Sequence, residues 1–284
     1  MKKRPLQYFF ILPATVWVLV FTVYPLIYVV RISFSNYQLG TTDLFFVGFR
    51  NYLDNFKDAT FWNSLRVTLL YVLIAVTAQV TLGLYFAWIL NKNLKGSRIF
   101  RTIFTSPLFV APVAVGYLGI TIFYETGGPV NYFLSFLGVH VPWLSDRYFA
   151  LISVILLDIW EWTPFIFIIL LAALQSIPED IYEAALLDVS SNSQLFWYIS
   201  LPLITPALVI AFLLKLIESF KLFGLPFALT AGGPANATEV YSILTYRKSM
   251  AYFDFSHGAA LAIVLLFVVM VCVVQFFRII RERY

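Results

Sequence analysis

The sequence predicts an all-α polytopic membrane protein with six transmembrane helices. Of its 284 residues, 61% are hydrophobic and only 12% charged. A soluble domain of this size needs far more polar residues to cover its surface. Mean hydropathy is +0.85, and several apolar runs exceed the roughly 18 residues that mark a membrane-spanning helix. A large soluble helical core is excluded by the length of those runs.

The spans fall at about 8–32, 65–90, 102–124, 148–174, 203–225 and 258–280. The first begins after Met1-Lys2-Lys3-Arg4 and runs too long for a signal-peptide core of 7–15 residues. No A-x-A-like cleavage site follows it, so it reads as a retained span. Pro13 and Pro25 in the first span, and Pro107 and Pro112 in the third, predict kinks. Neighbouring helices can satisfy the carbonyls that proline frees.

Basic residues set the orientation. With the N-terminus inside, the inner segments hold Lys2, Lys3 and Arg4, then Lys92, Lys95, Arg98 and Arg101, then Arg278, Arg281 and Arg283. Arg31, Arg50, Lys57, Arg66, Arg147, Arg247 and Lys248 are spread along longer outer loops. Short dense basic clusters belong on the cytoplasmic side, which puts both termini there. No Lys/Arg-rich face points to nucleic acid. The single cysteine, Cys272, lies in the last apolar run and has no internal partner for a disulfide. His140 and His257 stand apart and offer no metal set.

The fourth-to-fifth-span loop, about 175–203, carries no Lys or Arg and is acidic at Glu179, Asp180, Glu183 and Asp188. Ser176-Ile177-Pro178-Glu179 and Ser191-Asn192-Ser193-Gln194 each have the form of a capping box. Two short helices joined near Val189-Ser190 are therefore expected, forming an inner docking surface. In the outer loops Gly127-Gly128-Pro129 and Gly232-Gly233-Pro234 echo each other as tight-turn chemistry. No Gly-Lys-Ser/Thr follows either, so no phosphate-binding loop is present.

The loop reads Glu183-Ala184-Ala185-Leu186-Leu187-Asp188, then Gln194-Leu195-Phe196, then Ile199-Ser200-Leu201-Pro202-Leu203. This resembles the EAA loop of binding-protein-dependent ABC importer permeases, with Val189 where the family has glycine. A valine disfavours positive φ there. Leu229-Thr230-Ala231-Gly232-Gly233-Pro234-Ala235-Asn236-Ala237-Thr238, and Tyr24-Pro25 with Ser33-Phe34, are similar to carbohydrate-importer permeases of the maltose, glycerol-phosphate and polyol type. The resemblance implies a type I ABC importer permease fold, with 1–284 as a single transmembrane domain and 175–203 as its coupling loop. It implies a second homologous permease, two ATPase subunits and an external solute-binding protein as partners, in a bacterial or archaeal cytoplasmic membrane. ATP and Mg would sit on the ATPases and no cofactor on this chain. Glu183, Ala184, Ala185, Asp188 and Pro202 are the ATPase-docking residues that the resemblance implies. Glu183 would meet basic groups, the alanines would permit close approach, and Pro202 would set the angle of re-entry.

Charges inside spans are costly and mark function by default. Asp158 and Glu161 share one face of the fourth span, Lys215 and Glu218 one face of the fifth. In the resembled family the cargo site draws on these two spans. Glu161, Trp162, Phe165, Lys215, Glu218 and Ser219 are accordingly the substrate-binding candidates, with carboxylates taking sugar hydroxyls and aromatic faces stacking on the ring. A Glu161–Lys215 ion pair holding two helices together is the competing reading. In a third, Lys215 meets an anionic group on the cargo. Gln79 reads as an interhelical hydrogen-bonding group. An ion-coupled secondary transporter would also place carboxylates in mid-membrane, but it would show inverted repeats and needs no EAA loop. An intramembrane hydrolase built on Asp158 and Glu161 lacks any hydrolase motif around either residue.

Overall fold

The computed structural model describes residues 5–40, 44–91 and 96–281, with side chains left undescribed at 5–9, 186–188 and 279–281. Lys2, Lys3, Arg4, Lys92, Lys95 and Arg283, and the side chains of Asp188 and Arg281, therefore lie outside the described residues.

In chain order, α1 (Pro5–Val18) passes through a π-helical turn (Leu19–Val23) into α2 (Tyr24–Ser33). Pro25 has no N–H for the carbonyl of Phe21, and the chain widens one turn instead of breaking. A two-stranded antiparallel ribbon, β1 (Ser35–Asn36) with β2 (Phe45–Phe46), leads to α3 (Arg50–Lys57) and the long α4 (Ala59–Leu90). Then come α5 (Ser97–Thr105), α6 (Pro112–Ile122), α7 (Pro129–Ser135) and α8 (Arg147–Gln175). The inner loop holds α9 (Glu179–Asp188) and α10 (Asn192–Leu195), which runs through a second π-helical turn into α11 (Leu201–Phe220). Short helices α12 (Gly224–Thr230) and α13 (Tyr241–Tyr246) precede α14 (Phe255–Arg281).

Five of the described helical segments are long and apolar enough to cross a membrane: Phe10–Ser33, Ala59–Leu90, Arg147–Gln175, Asn192–Phe220 and Phe255–Arg278. The expected third span is a helix pair, Ser97–Phe109 and Pro112–Ile122, bent by 103°. Val110 and Ala111 are extended at the bend (ψ 134° and 137°); for Ala111 the cause is Pro112, which pushes the residue before it out of the helical region. The predicted kink is thus a break.

The chain divides into two compact units, one of residues up to Trp62 with those from Leu244 onward, the other Asn63–Ile243. In the first, α14 packs along α2 and α3. Its polar end is tied by the Tyr37 amide donating to Ser256 (2.6 Å), Asn55 donating to the His257 carbonyl (3.1 Å) and a Lys248–Asp58 ion pair (3.1 Å). Asp254 starts α14 by accepting from the His257 amide, and its other oxygen lies 2.8 Å from the His257 imidazole. Burial opposes ionisation of Asp254, yet His257 and Lys248 hold its carboxyl below the ordinary aspartate range.

In the second unit α8 is the central element. Asp146 accepts from the amides of Tyr148 and Phe149 and so fixes where it starts. Ile166, Phe167, Leu170, Leu171 and Leu174 of α8 pack with Ala87 and Leu90 of α4 and Ile204 and Ala211 of α11 in one buried cluster. Gly116 and Gly119 let α6 meet α12 and α8 closely; a Cβ on Gly116 would lie 2.6 Å from that of Ala228.

The two Gly-Gly-Pro segments differ in structure. Gly128 is extended and Pro129 opens α7, where a missing N–H costs nothing. The second is a turn with a cis Gly233–Pro234 bond and left-handed Ala231, Ala235 and Asn236.

Candidate functional site

The acidic pair of α8 and the lysine of α11 meet in the interior of the second unit. Asp158, Glu161 and Lys215 are 0%, 2% and 1% exposed, so each charge is cut off from solvent and needs a partner. Lys215 Nζ lies 3.4 Å from Asp158 Oδ2 and 4.5 Å from the centroid of the Trp162 ring. Gln79 of α4 donates from Nε2 to the same Asp158 oxygen (2.6 Å) and to the Asp158 carbonyl (2.9 Å). Three helices are thereby joined through one carboxylate.

In the competing reading Lys215 pairs with Glu161; here it pairs with Asp158 instead. Gln79 anchors Asp158 from α4, and the ammonium settles between that oriented carboxylate and the negative face of the Trp162 ring. Glu161 lies in the same cluster, and its Oε2 is buried without a hydrogen-bond partner. So are Tyr71 Oη, Gln79 Oε1, Asp158 Oδ1 and Ser219 Oγ. The five polar atoms lie in one buried cluster, where Tyr71 also interacts with Asp158 and Ser219.

Beside the cluster is a cavity of about 120 Å³ lined by Tyr71, Asp158, Trp162, Lys215, Glu218 and Phe223, among others. Pro112 also lines it, so the break in the third span opens against this cavity. Irregular backbone at membrane depth is tolerated where it lines such a space. The cavity is smaller than the roughly 300–1,000 Å³ of pockets that hold whole small molecules. Trp162, Lys215 and Glu218 line the cavity, with Glu218 paired to Lys221 at 2.7 Å. Ser219 is buried nearby. Phe165 packs with the apolar core and meets Trp162 edge-on at 6.0 Å, which steadies that ring. Tyr71 was missed in the sequence. It interrupts an apolar run two helical turns before Gln79, and that spacing is the signal that could have found it.

At the inner loop Glu183 and Ala184 are exposed, Ala185 is buried, and Pro202 is exposed as the second residue of α11. The second capping box forms: Ser191 Oγ accepts from the Gln194 amide (3.2 Å), and Gln194 Oε1 accepts from the Ser190 amide (2.8 Å). The first does not. Ser176 still belongs to the end of α8 and donates to the Ala173 carbonyl, so α9 starts after Pro178 without a side-chain cap. Val189 is extended (φ −111°), so the bend between α9 and α10 requires no positive φ. A tilted ring contact between Trp88 and Phe196 (centroids 5.0 Å apart) packs the loop against the end of α4.

Known proteins share both the sequence and the fold of this chain. The family model described as "binding-protein-dependent transport system inner membrane component" matches residues 79–283. The chain is 35% identical to the trehalose/maltose transport system permease protein of Thermococcus litoralis, over 99% of this chain and 96% of the relative. It is 30% identical to the sulfoquinovosyl glycerol transport system permease protein of Agrobacterium fabrum, over 99% and 92%. A chain in the crystal structure of a bacterial alginate ABC transporter, in complex with alginate pentasaccharide-bound periplasmic protein, shares the fold. Its TM-score is 0.85 at 24% identity, over 98% of this chain and 94% of that one. The chain is a membrane protein and belongs to the family of binding-protein-dependent transport system inner membrane components.

Proposed function

We propose that this chain is the membrane-spanning permease subunit of an ABC importer that moves a sugar or sugar-derived solute into the cytoplasm by alternating access. The carrying observation is the cluster of buried, unpartnered polar atoms on α4, α8 and α11, beside a cavity walled by Trp162, Tyr71 and Phe223. Hydroxyl groups and the apolar faces of a sugar ring match those two surfaces. The named sugar-transport relatives support the same cargo class. Residues 1–284 would act as one permease domain, both termini cytoplasmic. A second homologous permease completes the small cavity, a solute-binding protein delivers the cargo, and two ATPases dock on the loop that presents Glu183, Ala184 and Pro202 and carries Asp188 in its sequence. Ala185 lies beneath as packing.

The test is uptake by the assembled complex in proteoliposomes. Sugar accumulation should require ATP and survive collapse of ion gradients. Uptake that follows a sodium or proton gradient without ATP would establish a secondary transporter instead.

A further inference from the structure

Arg66 on α4 and Arg147 on α8 line a second cavity, of about 250 Å³, with Val67, Leu70, Leu151 and Tyr148. Both arginines are exposed, and among the described residues neither has a carboxylate within ion-pair distance. Each stands near the start of its span, and two crossings further on α8 runs in the same direction as α4. The two guanidinium groups therefore belong to the same membrane boundary. Leu70 follows Arg66 by four residues and Leu151 follows Arg147 by four, so each charge has a leucine about 6 Å deeper on its own helix face. Further down, Leu73 of α4 and Ile152 and Leu156 of α8 are also exposed.

We propose that this cavity binds an anionic phospholipid, with the phosphodiester on Arg66 and Arg147 and an acyl chain along Leu70 and Leu151. Arginine's planar fork suits phosphate oxygens, and exposed Tyr148 sits where aromatic residues meet headgroups. The gradation from two cations to an apolar wall matches an amphiphile. A soluble sugar acid would use the arginines but meet only Val67, Leu70 and Leu151 below them.

The test uses the purified importer complex in mixed micelles of phosphatidylglycerol and phosphatidylcholine, with retained lipid quantified after detergent exchange. Wild type should retain phosphatidylglycerol preferentially, and raised salt should weaken the preference. Arg66→Gln or Arg147→Gln should each lower the retained excess about fivefold, and the double variant about thirtyfold. Equal retention in wild type and double variant would overturn the proposal. Displacement of the lipid by a methyl glucuronide would overturn it in favour of a soluble acid. If the double variant loses the second permease but keeps its lipid, the arginines are subunit contacts and the proposal fails.

Discussion

Asp158 accepts from both Gln79 and Lys215 through one oxygen, so loss of either charge strands the other in the interior. Removing one partner of such a buried pair typically costs about 3–5 kcal/mol, whereas replacing both with apolar groups is often close to neutral. Asp158→Leu alone and Lys215→Met alone should each lower the thermal midpoint of the complex markedly, and the double variant should recover most of the loss. Additive losses would contradict the pairing. Asp254 makes the pH-dependent case outside the membrane. Its folded pKa lies below the ordinary value of 3.8, so its contribution is complete above about pH 4 and is lost as pH falls through the depressed value. Acid denaturation of Asp254→Asn should lack that component, while its stability at pH 7 should be lower than wild type. A wild-type acid profile in this variant would contradict the assignment. Residue types in the spans were legible in the sequence, but their partners were not. Asp158 and Glu161 share a helix face three residues apart, and only the position of Gln79 on a third helix decides which of them takes Lys215.

At the scale of elements, local chemistry predicted the second capping box, because Ser191 and Gln194 act within a single turn. The first box failed because Ser176 was claimed by the preceding long helix, a competition that a four-residue pattern cannot express. The prolines of the third span announced an irregularity, but not its 103° size. The π-helical turns left no pattern in composition. Close packing of α6 on α12 was equally hidden, since Gly116 reads as an ordinary glycine in an apolar run. Gly116→Val should force those helices apart, since a Cβ there would already lie 2.7 Å from the Leu225 carbonyl oxygen. The expected cost is about 1–3 kcal/mol, measurable as a lowered thermal midpoint. An unchanged midpoint would show that the helices shift freely.

For the whole molecule, five of the six expected spans and their order were readable from run length, and the third appears among the described residues as a bent helix pair. The division into two compact units was not, since the first is assembled from both ends of the chain. In the proposed function, one face of this chain receives the sugar and another receives the force of ATP hydrolysis. Sugar-stimulated ATPase activity of the assembled complex tests it most directly, comparing wild type with Trp162→Ala and Glu183→Lys across a panel of sugars. The account predicts that Trp162→Ala changes which sugars stimulate, and that Glu183→Lys abolishes stimulation by all of them while the cavity stays intact. Unaltered sugar preference in Trp162→Ala together with full coupling in Glu183→Lys would contradict it.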